Sequence, residues 1–310
     1  MFKSYLLIAF RHFLREKRAT FINLTGLGVG LASAVFIILY VYDELSFNSM
    51  HPYADRTYRL GFGYTLTNGS VEKNYEAPGN WARKLKENVP EVQQTLRVLH
   101  APFPTTIENK DAQKTVLVND CRWTEPQIAE VFELNLIKGD TAHLFKQPNS
   151  IAISQTAAKT LFGDEDPLGQ TLTIKDNQFT KGQEEDLVVT GVYEDYPANS
   201  TFKFQYLINI HSLRPYQDDF SGFMEGASFE EYVVLKENAA FEKVDNYLKK
   251  ECDQLQKENT QYVSNVFAIP VKLTDLHFNN ETTWDFTGTP GSKKSLTLLS
   301  MVALLILIIA

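Results

Sequence analysis

The chain has 310 residues, of which 44% are hydrophobic, 12% aromatic and 22% charged, a composition that excludes a disordered or low-complexity protein. Its formal net charge is −8 at pH 7, but residues 1–20 contain five basic side chains and only one acidic side chain. A basic end followed by an acidic body argues against nucleic-acid binding and fits a basic segment close to a membrane.

Apolar side chains recur at helical spacing through the first 17 residues, and the basic side chains fall between them. We therefore predict that residues 1–18 form an amphipathic helix on the cytoplasmic leaflet, in contact with membrane lipid. A helix docked on a partner protein is the alternative. The candidate membrane-surface basic residues are Lys3, Arg11, Arg15, Lys17 and Arg18.

Phe21–Tyr42 is a run of 22 residues without a charged side chain. At about 1.5 Å per residue it is long enough to cross a hydrocarbon core of about 30 Å, so we predict a transmembrane helix over residues 19–45. A cleaved signal peptide is the alternative, but the small residues at 32–34 lie inside the run rather than at its end. Basic residues before the run, with Asp43 and Glu44 after it, place the N-terminus in the cytoplasm.

Three small residues in this run, Gly26, Gly30 and Ala34, are spaced by four. This spacing predicts a helix face on which a second helix can pack closely. The general abundance of glycine in membrane helices is the alternative explanation.

The end of the run is a candidate coupling segment formed by Asp43, Glu44 and Leu45. No glycine or proline occurs from Leu31 to Met50, so we expect the helix to continue without a break to Leu45. A helix of this kind could transmit a rigid-body tilt to whatever follows it.

The last apolar run, Leu296 to Ala310, has 15 residues and is too short to cross a membrane. We expect residues 293–310 to be the start of a second transmembrane helix, and the chain to be the front part of a longer protein.

Helix and strand signals mix between these two runs, which indicates an α+β fold rather than a doubly wound sheet. Helices are predicted over residues 81–89, capped by Asn80; over 155–162, capped by Ser154 and closed by Gly163; and over 241–255. Strands are predicted over residues 171–174, 187–193 and 231–235, and from the alternation of Phe202, Phe204 and Tyr206.

Signatures of catalysis, metal binding and nucleotide binding are missing from the sequence. The six histidines are widely separated, no H-E-x-x-H or G-x-S-x-G pattern occurs, and no glycine is followed by lysine, as a Walker A loop requires. We therefore expect no catalytic residue, cofactor or metal. Cys121 and Cys252 could pair in an oxidising compartment, or could remain two separate thiols.

Several segments, in this order, resemble the MacB-like/FtsX-like permease family of ABC transporters. They are RHFLREKRATFINLTGLGVGLA near the N-terminus, YVYDELSFNSMHPYADRTYRL at 40–60, NVPEV at 88–92, VFELNLIKGD at 131–140, PNSIAISQTAAKTLFGDEDPLGQTL at 148–172, DLVVTGVYEDYPANSTFKF at 186–204 and LTDLHF at 273–278. The resemblance covers nearly the whole chain, and the order of the segments between two membrane runs makes it specific.

The resemblance implies a periplasmic core domain at residues 46–292, between transmembrane helices of the inner membrane, with further helices beyond residue 310. This domain would have a porter-like lobe at about 46–112 and 204–291 and an inserted lobe at about 113–203. The resemblance also implies a permease homodimer or heterodimer, a separate or fused ABC-type ATPase that supplies the catalysis, and a periplasmic partner. The ATP cycle would drive periplasmic motion for export or other extracytoplasmic work.

Two other functions remain open from the sequence. One is a receptor or sensor ectodomain held between two membrane helices, and the other is a membrane-anchored extracytoplasmic enzyme. The missing catalytic pattern weighs against the enzyme. The substrate is not identified by any residue pattern.

Overall fold

The computed structural model describes residues 15–78, 80–100, 104–119, 121–175, 183–213, 228–279 and 290–309. The chain divides into two compact units. The first, here called the helical unit, comprises residues 1–46 and 291–310, and the second, the core unit, comprises residues 47–290.

The described helices are α1 (Lys17–Leu45), α2 (Trp81–Asn88), α3 (Ile128–Val131), α4 (Gln155–Phe162), α5 (Glu242–Glu258) and α6 (Lys293–Ile309). The described strands are β1 (Thr57–Leu66), β2 (Val71–Asn74), β3 (Ala77–Pro78), β4 (Val92–His100), β5 (Thr105–Asn109), β6 (Lys114–Val118), β7 (Cys121–Thr124), β8 (Leu136–Lys138), β9 (Ser150–Ser154), β10 (Thr171–Lys175), β11 (Glu185–Tyr193), β12 (Tyr206–Asn209), β13 (Ser228–Leu235) and β14 (Val263–Lys272). This mixture confirms the predicted α+β fold class.

The described part of the helical unit contains α1 and α6, which contact each other. Among the described residues, α1 is the one helix whose length and apolar composition suffice to cross a membrane, and nearly all of its surface is exposed in the isolated chain. It ends where predicted, at Leu45, and the backbone N–H of Ser46 closes its last turn on the carbonyls of Tyr42 and Asp43.

The strands of the core unit form one continuous sheet in the order β14-β1-β13-β4-β7-β12-β9-β11-β10-β5-β6. Strands β2, β3 and β8 pair with β1, β13 and β11 at the side of this path. Most neighbours are antiparallel, but β12 pairs in parallel with β7, and β11 with β9. Strand β12 comes late in the chain but lies between the earlier strands β7 and β9. It therefore connects the part of the sheet from β14 to β7 with the part from β9 to β6.

Three apolar clusters of buried side chains form the core, and the one that contains Phe132, Phe202 and Tyr232 is here called the central cluster. Helices α2 and α5 supply the cluster at the β1–β14 end, and α5 buries Val244, Leu248, Cys252 and Leu255 on one stripe. Helix α4 covers the cluster at the β9–β11 end, which includes Cys121. The two cysteines are therefore buried in different clusters, and no disulfide joins them.

The predicted caps of the two short helices have different outcomes. Ser154 caps α4 as expected, because its hydroxyl accepts the Ala157 N–H at 3.2 Å, and Gly163 ends the helix with a φ of +67°. Asn80 occupies the N-cap position of α2, but its side chain makes no capping hydrogen bond, so that expectation is wrong. The carboxyl of Glu231, on the neighbouring β13, instead accepts the Ala82 N–H at 2.8 Å.

The strand predicted around Phe202 begins only at Tyr206. Phe202 and Phe204 are buried, as the alternation predicted, but their backbone groups form hydrogen bonds outside the sheet. The Phe202 N–H donates to the Ser200 hydroxyl, and the Phe204 carbonyl accepts the Tyr193 hydroxyl at 3.0 Å. Alternating burial therefore arises here from packing into the central cluster and not from ladder hydrogen bonds.

Candidate functional site

Asn48 lies three residues after the end of α1 in sequence and is completely buried in the core unit. Its φ of +60° lies in the left-handed region, which asparagine tolerates better than most other residues. This backbone conformation turns the chain immediately after the helix. It also leaves a buried amide side chain that must find partners for both its oxygen and its nitrogen.

The Asn48 amide has partners on two distant segments. Its Oδ1 accepts hydrogen bonds from the Thr201 backbone N–H at 2.9 Å and the Thr201 hydroxyl at 3.0 Å. Its Nδ2 donates to the Leu273 carbonyl at 3.1 Å, and its own backbone N–H donates to the Asn199 carbonyl at 3.0 Å. We call these four residues the Asn48 junction. They join Asn48 to chain segments that lie 153 and 225 positions after it in the sequence.

Aromatic stacking reinforces the connection between the first and last of these segments. The Phe47 ring stacks on His277 with a centroid distance of 3.6 Å and an interplanar angle of 8°. His277 belongs to the 3-10 helix Leu273–Phe278, whose first residue accepts the Asn48 amide. A stacked pair of rings and a buried hydrogen bond therefore hold the same two segments together.

His51 continues the junction into the central apolar cluster. Its ring packs edge-on against Phe132, Phe202 and Tyr196 at centroid distances of 5.1, 5.5 and 5.9 Å. Nδ1 lies 3.2 Å from the Phe132 carbonyl, which assigns the proton of the neutral ring to Nδ1. Burial lowers the pKa of His51 to about 4, so the ring is neutral at neutral pH.

Charged residues are also buried at the β1–β13 part of the sheet. The Arg59 guanidinium lies 3.9 Å from the Tyr75 ring centroid, and the Tyr232 hydroxyl donates to Glu230 at 2.7 Å. Burial and the nearby Glu230 raise the pKa of Glu76 to about 7. Acidic and basic side chains face one another in this group, so the arrangement fits a structural network better than a catalytic one.

Within the described ranges, no group of three or more histidine, cysteine, aspartate or glutamate side chains could hold a metal ion. The Asn48 junction is held by hydrogen bonds, and the Phe47–His277 ring stack lies beside it. Such an arrangement can hold backbone segments in a fixed relation, which is a mechanical rather than a chemical capability.

The predicted packing face of α1 is partly occupied. Ala34 is fully buried and Gly30 is half-buried, but Gly26 is exposed and nothing lies within 4 Å of a Cβ built on it. The shielded positions continue beyond Ala34 to Ile37 and Val41. The stripe that contacts α6 is therefore shifted toward the C-terminal half of α1.

The predicted coupling residues Asp43, Glu44 and Leu45 form the last turn of α1, where Asp43 and Leu45 are exposed and Glu44 is half-buried. Of the predicted membrane-surface residues, Arg15, Lys17 and Arg18 are exposed, while Lys3 and Arg11 lie outside the described residues. The amphipathic helix predicted for residues 1–18 also falls almost entirely outside them.

Sequence reasoning did not single out Asn48, Thr201 or Leu273. A lone asparagine after a helix has no periodic signal, and its partners are more than 150 positions away. The segments 40–60, 186–204 and 273–278, which carry the family resemblance, nevertheless contain all members of the Asn48 junction. Their position inside these segments is a signal in the sequence that could have pointed to them.

Solved structures with a similar fold include three from bacterial membrane proteins. A domain of a protein described as a permease, from Porphyromonas gingivalis, is 20% identical with a TM-score of 0.60 over 80% of this chain and 98% of that one. The periplasmic region of MacB from Actinobacillus actinomycetemcomitans is 13% identical, with a TM-score of 0.47 over 74% and 95%. The extracellular domain of the noncanonic ABC-type transporter YknZ from Gram-positive bacteria is 14% identical, with a TM-score of 0.43 over 68% and 99%.

The fold assignment rests on the Porphyromonas domain, because its TM-score is above 0.5. A search of curated proteins finds no match. The family model for the MacB-like periplasmic core domain matches residues 20–251, about three quarters of the chain. The MacB-like part of the resemblance is thus confirmed, and the chain belongs to the MacB-like periplasmic core domain family of transporter permeases.

Proposed function

We propose that this chain is a permease subunit of an ABC transporter of the MacB/FtsX type, and that it passes motion driven by a partner ATPase to its periplasmic core domain. The observation that carries the proposal is the Asn48 junction. A buried amide three residues after α1 holds two distant segments of the core unit, so a movement of the helix end reaches both segments at once.

The composition of α1 supports a mechanical role over a pore-lining one. No charged side chain occurs from Phe21 to Tyr42, and the hydroxyls of Thr25 and Ser33 donate to carbonyls within the helix. A single helix of this kind lines no aqueous path, but it can tilt as a rigid body. Asp43, Glu44 and Leu45 would be the coupling segment at its end.

We further propose the topology that the family implies. The N-terminus would lie in the cytoplasm, residues 46–292 in the periplasm, and residues 293–310 would begin a second membrane helix of an inner-membrane protein. The porter-like lobe would comprise about 46–112 and 204–291, and the inserted lobe about 113–203. The packing of α2 and α5 on one end of the sheet, and of α4 on the other, is compatible with these lobes.

The partners proposed are an ABC-type ATPase subunit, a second permease chain and a periplasmic protein. Catalysis would reside in the ATPase, and this chain would bind no cofactor. Purification of the natural protein under mild conditions should recover a nucleotide-binding chain. If the purified protein has no ATPase activity and carries a signalling domain instead of an ATPase partner, the alternative of a membrane-anchored sensor is favoured.

Inserting two glycines after Asp43 tests the coupling role directly. In the natural protein with its ATPase, we expect ATP hydrolysis to continue while export is lost, because glycine breaks the rigid connection. The matched control inserts two glycines after Asn68, in the exposed turn between β1 and β2. Export that is unchanged by the first insertion would contradict the proposal.

A further inference from the structure

Two glutamates face each other between β3 and β13 in the core unit. In the antiparallel register of these strands Ala77 lies opposite Phe229, so the next pair along the register is Glu76 opposite Glu230. Side chains at facing positions of two neighbouring strands lie on the same side of the sheet and interact directly. The register therefore brings two carboxyl groups together at one end of β3.

The surroundings of this pair favour a proton on Glu76. Glu76 is half-buried and forms no hydrogen bond or ion pair with any residue that the structure describes. Glu230 is only 6% exposed, and its carboxylate accepts the Tyr232 hydroxyl at 2.7 Å. Like charges at facing positions repel each other, and a carboxylate that is shielded from water without a partner is costly. A neutral Glu76 beside a charged Glu230 avoids both penalties.

Charged groups from three other strands also act on the pair. Arg59 of β1 and Arg122 of β7 are buried, and both favour the charged form of Glu76. His100 of β4 interacts electrostatically with Arg122 and Glu230. Burial, followed by Glu230, outweighs the two arginines and raises the pKa of Glu76 from 4.5 to about 7. The geometry and the balance of charges thus agree on a carboxyl that titrates near neutral pH.

Glu76 belongs to the connection between β2 and α2, residues 75–78 and 80–82, here called the β2–α2 connection. It is attached to other parts of the core unit on both sides of Glu76. The Tyr75 hydroxyl donates to the Asn279 carbonyl at 2.8 Å, and the Ala82 N–H donates to the carboxyl of Glu231 at 2.8 Å. Between these two contacts the connection is held by the two-residue strand β3 on β13. So short a strand pair is sensitive to a repulsion at its end.

We propose that a proton on Glu76, opposite Glu230, holds the β2–α2 connection on β13, and that loss of this proton loosens the connection as the pH rises to neutrality. The closed form keeps a proton that the open form, with Glu76 in water, releases above pH 4.5. This contribution to the closed form is therefore complete below pH 4.5 and is lost as the pH rises to about 7. Opening also releases the Tyr75 contact to Asn279. The device is independent of the proposed transport function.

Hydrogen exchange of the full chain in lipid nanodiscs, followed by mass spectrometry from pH 5 to pH 8, measures this opening. The observable is the protection of the amides in the β2–α2 connection after correction for the intrinsic effect of pH on exchange. We expect this protection to fall at least about tenfold more in the unmodified chain than in Glu76→Gln, which cannot ionise. Glu72→Gln, at a half-buried position on β2, is the matched control and should behave like the unmodified chain.

A second variant tests the facing pair. In Glu230→Gln the repulsion is absent, so Glu76 ionises more readily and the fall in protection should move to lower pH. An unchanged curve would overturn the assignment of this pair.

Two results in the unmodified chain would overturn the proposal without any variant. One is equal corrected protection of the β2–α2 connection at pH 5 and pH 8. The other is a fall of the same size in the amides of β9, which would show that the whole core unit opens and not this connection alone. Parallel curves for the unmodified chain and Glu76→Gln would also contradict it.

Discussion

Thr201 donates both its backbone N–H and its hydroxyl to the single oxygen Oδ1 of Asn48, at 2.9 and 3.0 Å. The Thr201 segment follows β11 and leads into β12, the strand that lies between β7 and β9 in the sheet. The amide that follows the membrane helix is therefore connected to the point where the chain re-enters the centre of the sheet. The packing of these segments in the core unit therefore depends in part on this contact.

We expect Asn48→Gly to lower the free energy of unfolding of the core unit by roughly 2–4 kcal/mol, because it removes three side-chain hydrogen bonds and leaves buried groups without partners. Glycine keeps the φ of +60°, so backbone strain does not contribute to the loss. Asn238→Gly is the matched control: its φ is +59° and it is exposed, so we expect a change below about 0.5 kcal/mol.

Urea unfolding of the solubilised chain, followed by the fluorescence of the buried Trp81 and Trp123, measures both variants. Similar losses for Asn48→Gly and Asn238→Gly would show that the buried amide adds nothing beyond its backbone conformation.

The pKa of His51 predicts a loss of stability in mild acid. Its ordinary pKa of 6.5 applies to the unfolded chain, and burial lowers the folded value to about 4. As the pH falls from 6.5 to 4, the unfolded chain binds a proton that the folded chain does not bind. The contribution of His51 to the free energy of unfolding is therefore fully present above pH 6.5. It is lost at up to about 1.4 kcal/mol per pH unit as the pH falls through this window.

His51→Gln should remove this part of the pH dependence, so the difference in unfolding free energy between the two proteins should change between pH 7 and pH 4.5. The control variant, His211→Gln at an exposed position, should show the same dependence of unfolding free energy on pH as the unmodified protein. A constant difference between His51→Gln and the parent over this range would mean that the ring is not buried as a neutral group.

Glu231 has the opposite pH dependence. Burial raises its pKa well above the ordinary value of 4.5, and its carboxyl accepts the Ala82 N–H at the start of α2. The folded chain therefore holds a proton that the unfolded chain releases above pH 4.5, and stability is lost as the pH rises.

We expect Glu231→Gln to stabilise the core unit at pH 8, because the amide oxygen can accept the same N–H without a carboxylate to ionise. The gain should shrink toward pH 4, where the parent residue is protonated in both states. The exposed control, Glu237→Gln, should show no such trend when both are measured by urea unfolding at the two pH values. A destabilised Glu231→Gln variant at pH 8 would contradict a neutral buried acid.

Local patterns sufficed for much of the fold, and distant contacts determine the rest. The length of the uncharged run identifies α1 from sequence, and the helical period of the apolar stripe identifies α5. The cap of α2 comes from Glu231 on another strand, and Asn48 finds Thr201 across 153 positions. No local rule predicts such pairs, because they exist only once the sheet has formed.

Gly139 allows the chain to leave β8 against the backbone of β11. Its φ is +85°, and a Cβ built on it would lie 2.5 Å from the Thr190 carbonyl oxygen, closer than real contacts allow. Gly69 is a matched comparison, since its φ is +90° and nothing lies within 4 Å of its Cβ position. Both alanine variants suffer from the positive φ, but only Gly139→Ala forces two backbone segments apart.

We therefore expect Gly139→Ala to cost about 1–3 kcal/mol more than Gly69→Ala in unfolding free energy. Urea unfolding of the two variants side by side measures this difference, in which the shared conformational strain cancels. Equal losses would mean that β8 can move away from Thr190 without penalty. In that case the pairing of β8 with β11 would not constrain the loop that follows.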